Sequence, residues 1–144
     1  MKLLFDANIF IGRPEFAVPS GIYMSVVVLQ ELLAGAADDT ATKDYRRTYL
    51  DFQKAGRLLV PTDEDWWLAG TVLNNLQRGR RDRKTKQTPK ISVEERLRIS
   101  HDVLIARTAR RAGVTVITDN TGDFEKIHPY CAVRYLSGDE YFGS

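Results

Sequence analysis

At 144 residues, 43% hydrophobic and 28% charged, the chain has the size and make-up of one soluble domain, residues 1–144, able to bury a core without crosslinks. No apolar stretch approaches the ~20 residues that span a bilayer, and the opening apolar run is too short for a signal peptide. The single cysteine, Cys131, excludes an internal disulfide and a thiolate zinc cluster, which fits a reducing cytoplasm, and a net charge of +2 is too small to identify a nucleic-acid partner.

The first element is Leu3–Leu4–Phe5, a short apolar run of the kind found inside a parallel sheet, ending on Asp6. "DAN" is good turn and capping chemistry, but a carboxylate at a strand end is also where ligands bind in open α/β sheets. A second strand is expected near Ile22–Val26, continuing into a helix that runs to Gly35. Helical spacing of Tyr45, Tyr49 and Phe52 predicts a helix over 42–55, followed by a strand at 57–61. "TDED" caps a helix over 63–77, and residues 93–112 are helical with a break expected near Ser100. Gly113 closes that helix before the clearest central strand, 114–118, and a last strand is expected at 131–136. Strands alternating with helices predict an α/β fold with a mostly parallel sheet.

Residues 78–90, "RGRRDRKTKQTPK", carry seven Lys or Arg against one Asp and no large apolar side chain. Such a segment cannot pack a core. It is either a solvated linker or a contact for phosphates, through Arg80, Arg81, Arg83 and Lys84.

Five acids lie beside apolar structure instead of on polar faces. Asp6 ends the first strand, Glu31 falls in the first turn of the helix after the second, and Asp102 lies at a helix start in "SHDVLIARTARRAG". Asp119 and Asp123 follow the strand "VTVIT". In a parallel sheet these segments deliver carboxylates to one edge. Two carboxylates ~4 Å apart repel by about 4 kcal/mol at an effective dielectric of ~20, so such a cluster is either partly protonated or neutralised by a cation. Oxygen ligands without His or Cys suit hard cations, Mg²⁺ or Mn²⁺, the ions used for phosphodiester hydrolysis. His101 and His128 have no ligand spacing and are expected to be ordinary exposed or capping residues. Ala106 and Ala109 give the Asp102 helix a small-residue face, and Arg107, Arg110 and Arg111 on another read as a solvated basic stripe, with a phosphate track as the alternative.

"LLFDANIFIG", "VVLQELLAGA" and "SHDVLIARTARRAGVTVITDNTGDF" together resemble the PIN-domain ribonucleases, most closely the VapC-type toxins of prokaryotic toxin–antitoxin pairs. The resemblance implies a three-layer α/β/α sandwich and an endoribonuclease using Mg²⁺ or Mn²⁺. By position it implies that Asp6, Glu31 and Asp102 bind metal, that Asn8 helps hold the first acid, and that Thr118 ends the fourth strand. For the fourth acid the pattern favours Asp123, with Asn120 as a polar helper and Asp119 as the substitute. It also implies an RNA substrate, a VapB-like antitoxin and a homodimer. Trp66 and Trp67 are adjacent, so on a helix they point about 100° apart and one is expected at an interface.

Two other classes compete. A haloacid-dehalogenase-type phosphotransferase also has an Asp after its first strand, but needs a second Asp where this chain has Asn8. A non-catalytic nucleic-acid-binding domain of the same fold is the alternative, and metal binding separates it from the enzyme.

Overall fold

The structure, a computed structural model, describes residues 1–80, 84–87 and 89–143. Among the described residues five short strands, β1 (Leu3–Phe5), β2 (Met24–Ser25), β3 (Leu58–Leu59), β4 (Thr115–Thr118) and β5 (Tyr135–Ser137), alternate with helices. These are α1 (Ala7–Gly12), α2 (Val26–Ala34), α3 (Asp39–Lys54), α4 (Asp63–Gly79), α5 (Val93–Ala112), α6 (Thr121–Ile127) and α7 (Gly138–Phe142).

Among the described residues every strand pairing is parallel. Leu4 lies opposite Val116, Ile117 opposite Leu136 and Met24 opposite Leu58. A parallel bridge between Leu4 and Tyr23, with Tyr23 N donating to Leu3 O at 2.8 Å, joins the β2–β3 pair to β1. The strand order is therefore β3-β2-β1-β4-β5. It reverses beside β1, where the chain returns from β3 to place β4 on the other flank, so β1 and β4 frame a topological switch point.

Alternation along the strands sorts the core into two faces. Leu4 and Val116 pack with Val28 of α2, Leu104 of α5 and Phe124 of α6. Leu3, Phe5 and Ile117 face the other way, against Ile9 of α1, Phe16 and Phe142 of α7. The result is the expected three-layer α/β/α sandwich.

Three of the expected elements differ in extent, and the short helices α1, α6 and α7 were not expected. The helix over 93–112 runs unbroken through Ser100, because Ile99, Val103 and Ala106 form a continuous buried stripe. Asp102 consequently sits at mid-helix, not at a helix start. Gly113, at φ 69°, ends α5 in the left-handed conformation that only glycine adopts without strain. The last strand begins only at Tyr135, where it meets Val116; Cys131–Arg134 precedes it as loop, with Cys131 and Val133 tucked into the core. Finally, α4 extends to Gly79 and takes in the start of the basic segment. Arg81 and Arg83, expected to contact RNA, lie outside the described residues.

Arg107, Arg110 and Arg111 of α5 each have a partner in the fold, although Arg110 and Arg111 stay exposed. Asp65, fully buried in the first turn of α4, accepts from Arg107 Nε at 3.2 Å and Arg111 Nη2 at 2.6 Å. It also closes a capping box with Thr62, whose backbone N donates to Asp65 Oδ2 at 2.9 Å. Arg110 Nη1 donates to Ala132 O at 3.2 Å. Burial alone would raise the Asp65 pKa, but the bonds from Arg111, Thr62 N and Arg107 outweigh it and hold the carboxyl below its usual range. A depressed carboxylate pKa contributes stability that is present above the unfolded-state value and lost as pH falls through the folded one. Asp65→Ala should therefore destabilise the protein by about 1–3 kcal/mol at pH 7. Urea unfolding should show that gap narrowing as pH drops below ~4.

Candidate active site

Asp6 is both things its position allowed. Its Oδ1 accepts from Ala7 N at 2.8 Å and caps α1, while Oδ2 points into the crevice between β1 and β4. There it accepts from Thr118 Oγ1 at 2.9 Å and Asn8 Nδ2 at 3.2 Å. Asn8 spans the crevice, donating also to Thr118 Oγ1 at 3.2 Å and accepting from Asp119 N at 3.0 Å. Thr118 Oγ1 in turn accepts from Asn120 N at 3.0 Å. Burial, opposed by the bonds from Thr118, Ala7 and Asn8 and reinforced by the charge of Glu31, raises the Asp6 pKa to about 6.

Asp102 enters the same crevice from the middle of α5, close-packed through Ala106 and Ala109, neither of which is exposed. Burial raises its pKa to about 9, aided by the charges of Asp6, Asp123 and Glu31 and by a hydrogen bond with Asp123. Its Oδ2 is buried without a hydrogen-bond partner among the described residues. An unsatisfied carboxylate oxygen facing three other acids is costly in a protein interior.

Asp123 lies in the first turn of α6, where buried Phe124 packs its ring 5.7 Å from Tyr135 and fixes the turn. Asp123 Oδ2 accepts from Asn120 Nδ2 and from Arg98 Nε, both at 2.7 Å. Lys126 Nζ stands 4.0 Å from Oδ1. Glu31 falls in the second turn of α2, not the first, and its Oε1 lies 2.8 Å from His101 Nδ1.

Asp6, Glu31, Asp102 and Asp123 thus interact as one cluster. Asp119 does not join them. Its carboxylate turns away to Arg13, with Nε at 2.9 Å and Nη2 at 3.0 Å, and Arg13 also reaches Asp139 at 2.9 Å. Gly138 makes room for that pair, since a Cβ there would stand 2.2 Å from Asp119 Oδ1. The pair with Arg13 holds the Asp119 pKa below the usual carboxylate range.

Sequence reasoning missed His101 and Arg98. His101 is no ordinary exposed or capping residue but the partner of Glu31, and Arg98 holds Asp123. Both lie on α5: Arg98 stands three residues before His101 and four before Asp102, spacings that make it a neighbour of each on the helix surface. The expected basic contact Arg80 is paired instead, its Nη1 donating to Glu95 Oε2 at 3.1 Å and its Nη2 to Glu95 Oε1. Lys84 lies in an exposed turn.

Among the described residues no three His, Cys, Asp or Glu side chains are already gathered at metal-ligand spacing. The donor set still fits a hard divalent ion. It offers carboxylate oxygens only, one of them both buried and unpartnered among the described residues, and Mg²⁺ takes one or two carboxylates and keeps several waters.

A parallel sheet whose switch point gathers acids from β1, α2, α5 and α6 defines a small α/β protein with an acidic crevice. Residues 3–128 match the PIN domain family, and the chain belongs to that family. Among solved structures it is similar to FitAB bound to an IR36 DNA fragment, at 19% identity and a TM-score of 0.54 over 94% of each chain. It is similar to VapBC-1 from nontypeable Haemophilus influenzae, at 21% identity and a TM-score of 0.51 over 95% of this chain and 98% of that one. VapBC2 from Rickettsia felis, bound to a DNA fragment from their promoter, matches at 18% identity and a TM-score of 0.53, over 96% of this chain and 100% of that one. At these identities the likeness is one of fold. A comparison with curated proteins returns no match.

The raised pKa of Asp102 carries a sign. A carboxyl that binds its proton more tightly when folded loses stability as pH rises from the unfolded value, ~3.9, toward the folded one. Asp102→Asn removes that penalty. In EDTA it should melt several degrees above wild type at pH 8, the difference vanishing near pH 4; equal melting at pH 8 would show that Asp102 is not strained.

Proposed function

We propose that this chain, acting as one domain over residues 1–144, is a Mg²⁺- or Mn²⁺-dependent endoribonuclease. We further propose that it is the toxin of a VapBC-like pair in the cytoplasm. The observation that carries the reading is the unpartnered Oδ2 of Asp102 among three further carboxylates. That arrangement is unfavourable by itself and favourable around a cation. Asp6, Glu31, Asp102 and Asp123 would hold the ion, which when bound supplies an activated water and stabilises charge developing on the phosphodiester.

The protein's own groups set the stage for this chemistry. Thr118 and Asn8 fix the Asp6 carboxylate through Oδ2. His101 orients Glu31, and Asn120 orients Asp123. Partners of this kind keep ligands aimed, and losing one typically costs ~10–100-fold in metal affinity or activity. Membership in the PIN domain family supports the same reading, and so does a fold shared with the VapBC and FitAB structures.

An acidic crevice also suits inhibition by an antitoxin arginine, whose planar guanidinium pairs with carboxylates and competes with the ion. A homodimer is proposed on the exposure of Trp66 and Trp67, 57% and 81%, at the start of α4, since large aromatics are enriched at interfaces. The basic segment around Lys84, with Arg81 and Arg83, is assigned to RNA backbone contact.

Purified protein should cleave RNA only with Mg²⁺ or Mn²⁺, and Asp6→Asn or Asp102→Asn should lower turnover by more than the ~100-fold upper range for an outer partner. Wild-type rates in either variant would refute the mechanism. Calorimetry should show Mn²⁺ affinity falling in Asp123→Asn and holding in Asp119→Asn, since only Asp123 belongs to the cluster; the reverse order would reassign the fourth acid. Absence of any Mn²⁺ binding would favour the non-catalytic alternative. Light scattering at tens of micromolar should give twice the monomer mass, and a monomer would remove the dimer.

A further inference from the structure

The four acids are held in different ways, and one of those holds is more than structural support. Asp6 is bonded by neutral donors and Glu31 by a histidine, but Asp123 is flanked by two cations from two helices. Arg98 reaches Asp123 through Nε alone, at 2.7 Å. Its two terminal amino groups make no hydrogen bond among the described residues, and its side chain is 49% exposed. Lys126, 48% exposed, stands 4.0 Å from Asp123 and 3.9 Å from Glu95. Both distances exceed the ~2.7–2.9 Å of a charge-assisted hydrogen bond.

Arg80 shows the contrast. Both of its terminal nitrogens are spent on the two oxygens of Glu95. It therefore has no fork to offer, although it lies in the most basic stretch of sequence. Arg98 has its guanidinium plane fixed at one corner by Asp123 and its fork open to solvent. A planar fork of this kind matches two non-bridging phosphate oxygens, and an ammonium beside it adds a second point charge.

Location completes the argument. Arg98 precedes Asp102 by one turn of α5, ~6 Å along the axis, on the same helix face. A phosphate seated there lies alongside the acid cluster, not in it, where the anionic backbone would otherwise meet only carboxylates.

We propose that Arg98 and Lys126 form a seat for a backbone phosphate of single-stranded RNA next to the acid cluster, with Asp123 holding Arg98 in position. The seat rests on the ribonuclease reading above. Anisotropy of a labelled single-stranded RNA, titrated in EDTA at several salt concentrations, tests it without turnover. Seating one phosphate contributes ~0.7 to the slope of log affinity against log salt. R98Q/K126Q should therefore bind more weakly at low salt with a slope shallower by ~0.7. R98K, which keeps charge and loses the fork, should fall between that variant and wild type. K126Q leaves the Arg98–Asp123 bond untouched and should weaken binding at low salt even if the double variant folds poorly. An unchanged slope in a double variant that melts like wild type overturns the seat, as does unchanged binding by K126Q. Wild type that binds Mn²⁺ but no RNA overturns the seat and leaves the metal reading standing. Wild type that binds neither overturns the reading on which it rests.

Discussion

Like charge gathered at the carboxyl ends of two adjacent strands is the constraint around which this protein is arranged. Four carboxylates arrive from four elements at the carboxyl ends of β1 and β4, where the strand order reverses and the helices part. Asp6, Asp102 and Asp123 are buried, and Glu31 is half-buried beside them. Together they drive Asp6 to about 6 and Asp102 to about 9, burial being the larger cause in both. The fold tolerates this because the strain falls on side chains while the backbone stays regular. α5 runs straight through Asp102, and the sheet keeps its register on both sides of the crevice.

The compensation around the cluster is graded. On the β1–β4 side the partners are neutral: a threonine hydroxyl, an asparagine amide and a backbone N–H around Asp6. On the α2–α5 side the partner is His101. On the α6 side it is a pair of permanent cations. Asp102, in the middle, receives none of these at Oδ2. The crevice therefore has a polarity of its own, uncompensated at its centre and increasingly positive toward α6. Arg13 works as a separate tie outside it. By engaging Asp119 and Asp139 together, it fastens α7 to the end of β4 and keeps a fifth acid out of the cluster.

Much of this was legible in the sequence, for identifiable reasons. Leu3–Phe5 and Thr115–Thr118 are apolar runs too short for helices, so parallel strands followed from them, and acids directly after strand ends had to share an edge. The preference for Asp123 over Asp119 came from the family pattern, an acid next to a Phe, and the structure shows Phe124 buried and Asp119 paired with Arg13. What escaped was anything set by tertiary partners. Ser100 looked like a break, yet α5 continues because Ile99 and Val103 on either side are buried. His101 and Arg98 carry no motif; their roles come from which helix packs opposite them. A signal existed in the spacing of Arg98, His101 and Asp102 along one helix, but without the partner elements it could not be told from a polar stripe. The short helices α1, α6 and α7 were missed because five to seven residues, two turns at most, leave almost no periodicity to detect.

Asp65 and Asp102 show why burial alone does not mark a functional acid. Both are buried aspartates on long helices, and for both the largest contribution to the pKa is desolvation, which raises it. They end on opposite sides of the ordinary value. Asp65 meets two guanidiniums and a backbone N–H, so its charge is locked in place and it joins α4 to α5. Asp102 meets three carboxyl groups, so its neighbours add to the penalty instead of offsetting it. An acid with its counter-charge supplied by the chain has nothing to gain from a ligand. One whose neighbours are all of its own sign gains from any cation that enters, and that difference, set by which partners the helices deliver, separates the pillar of this fold from its candidate site.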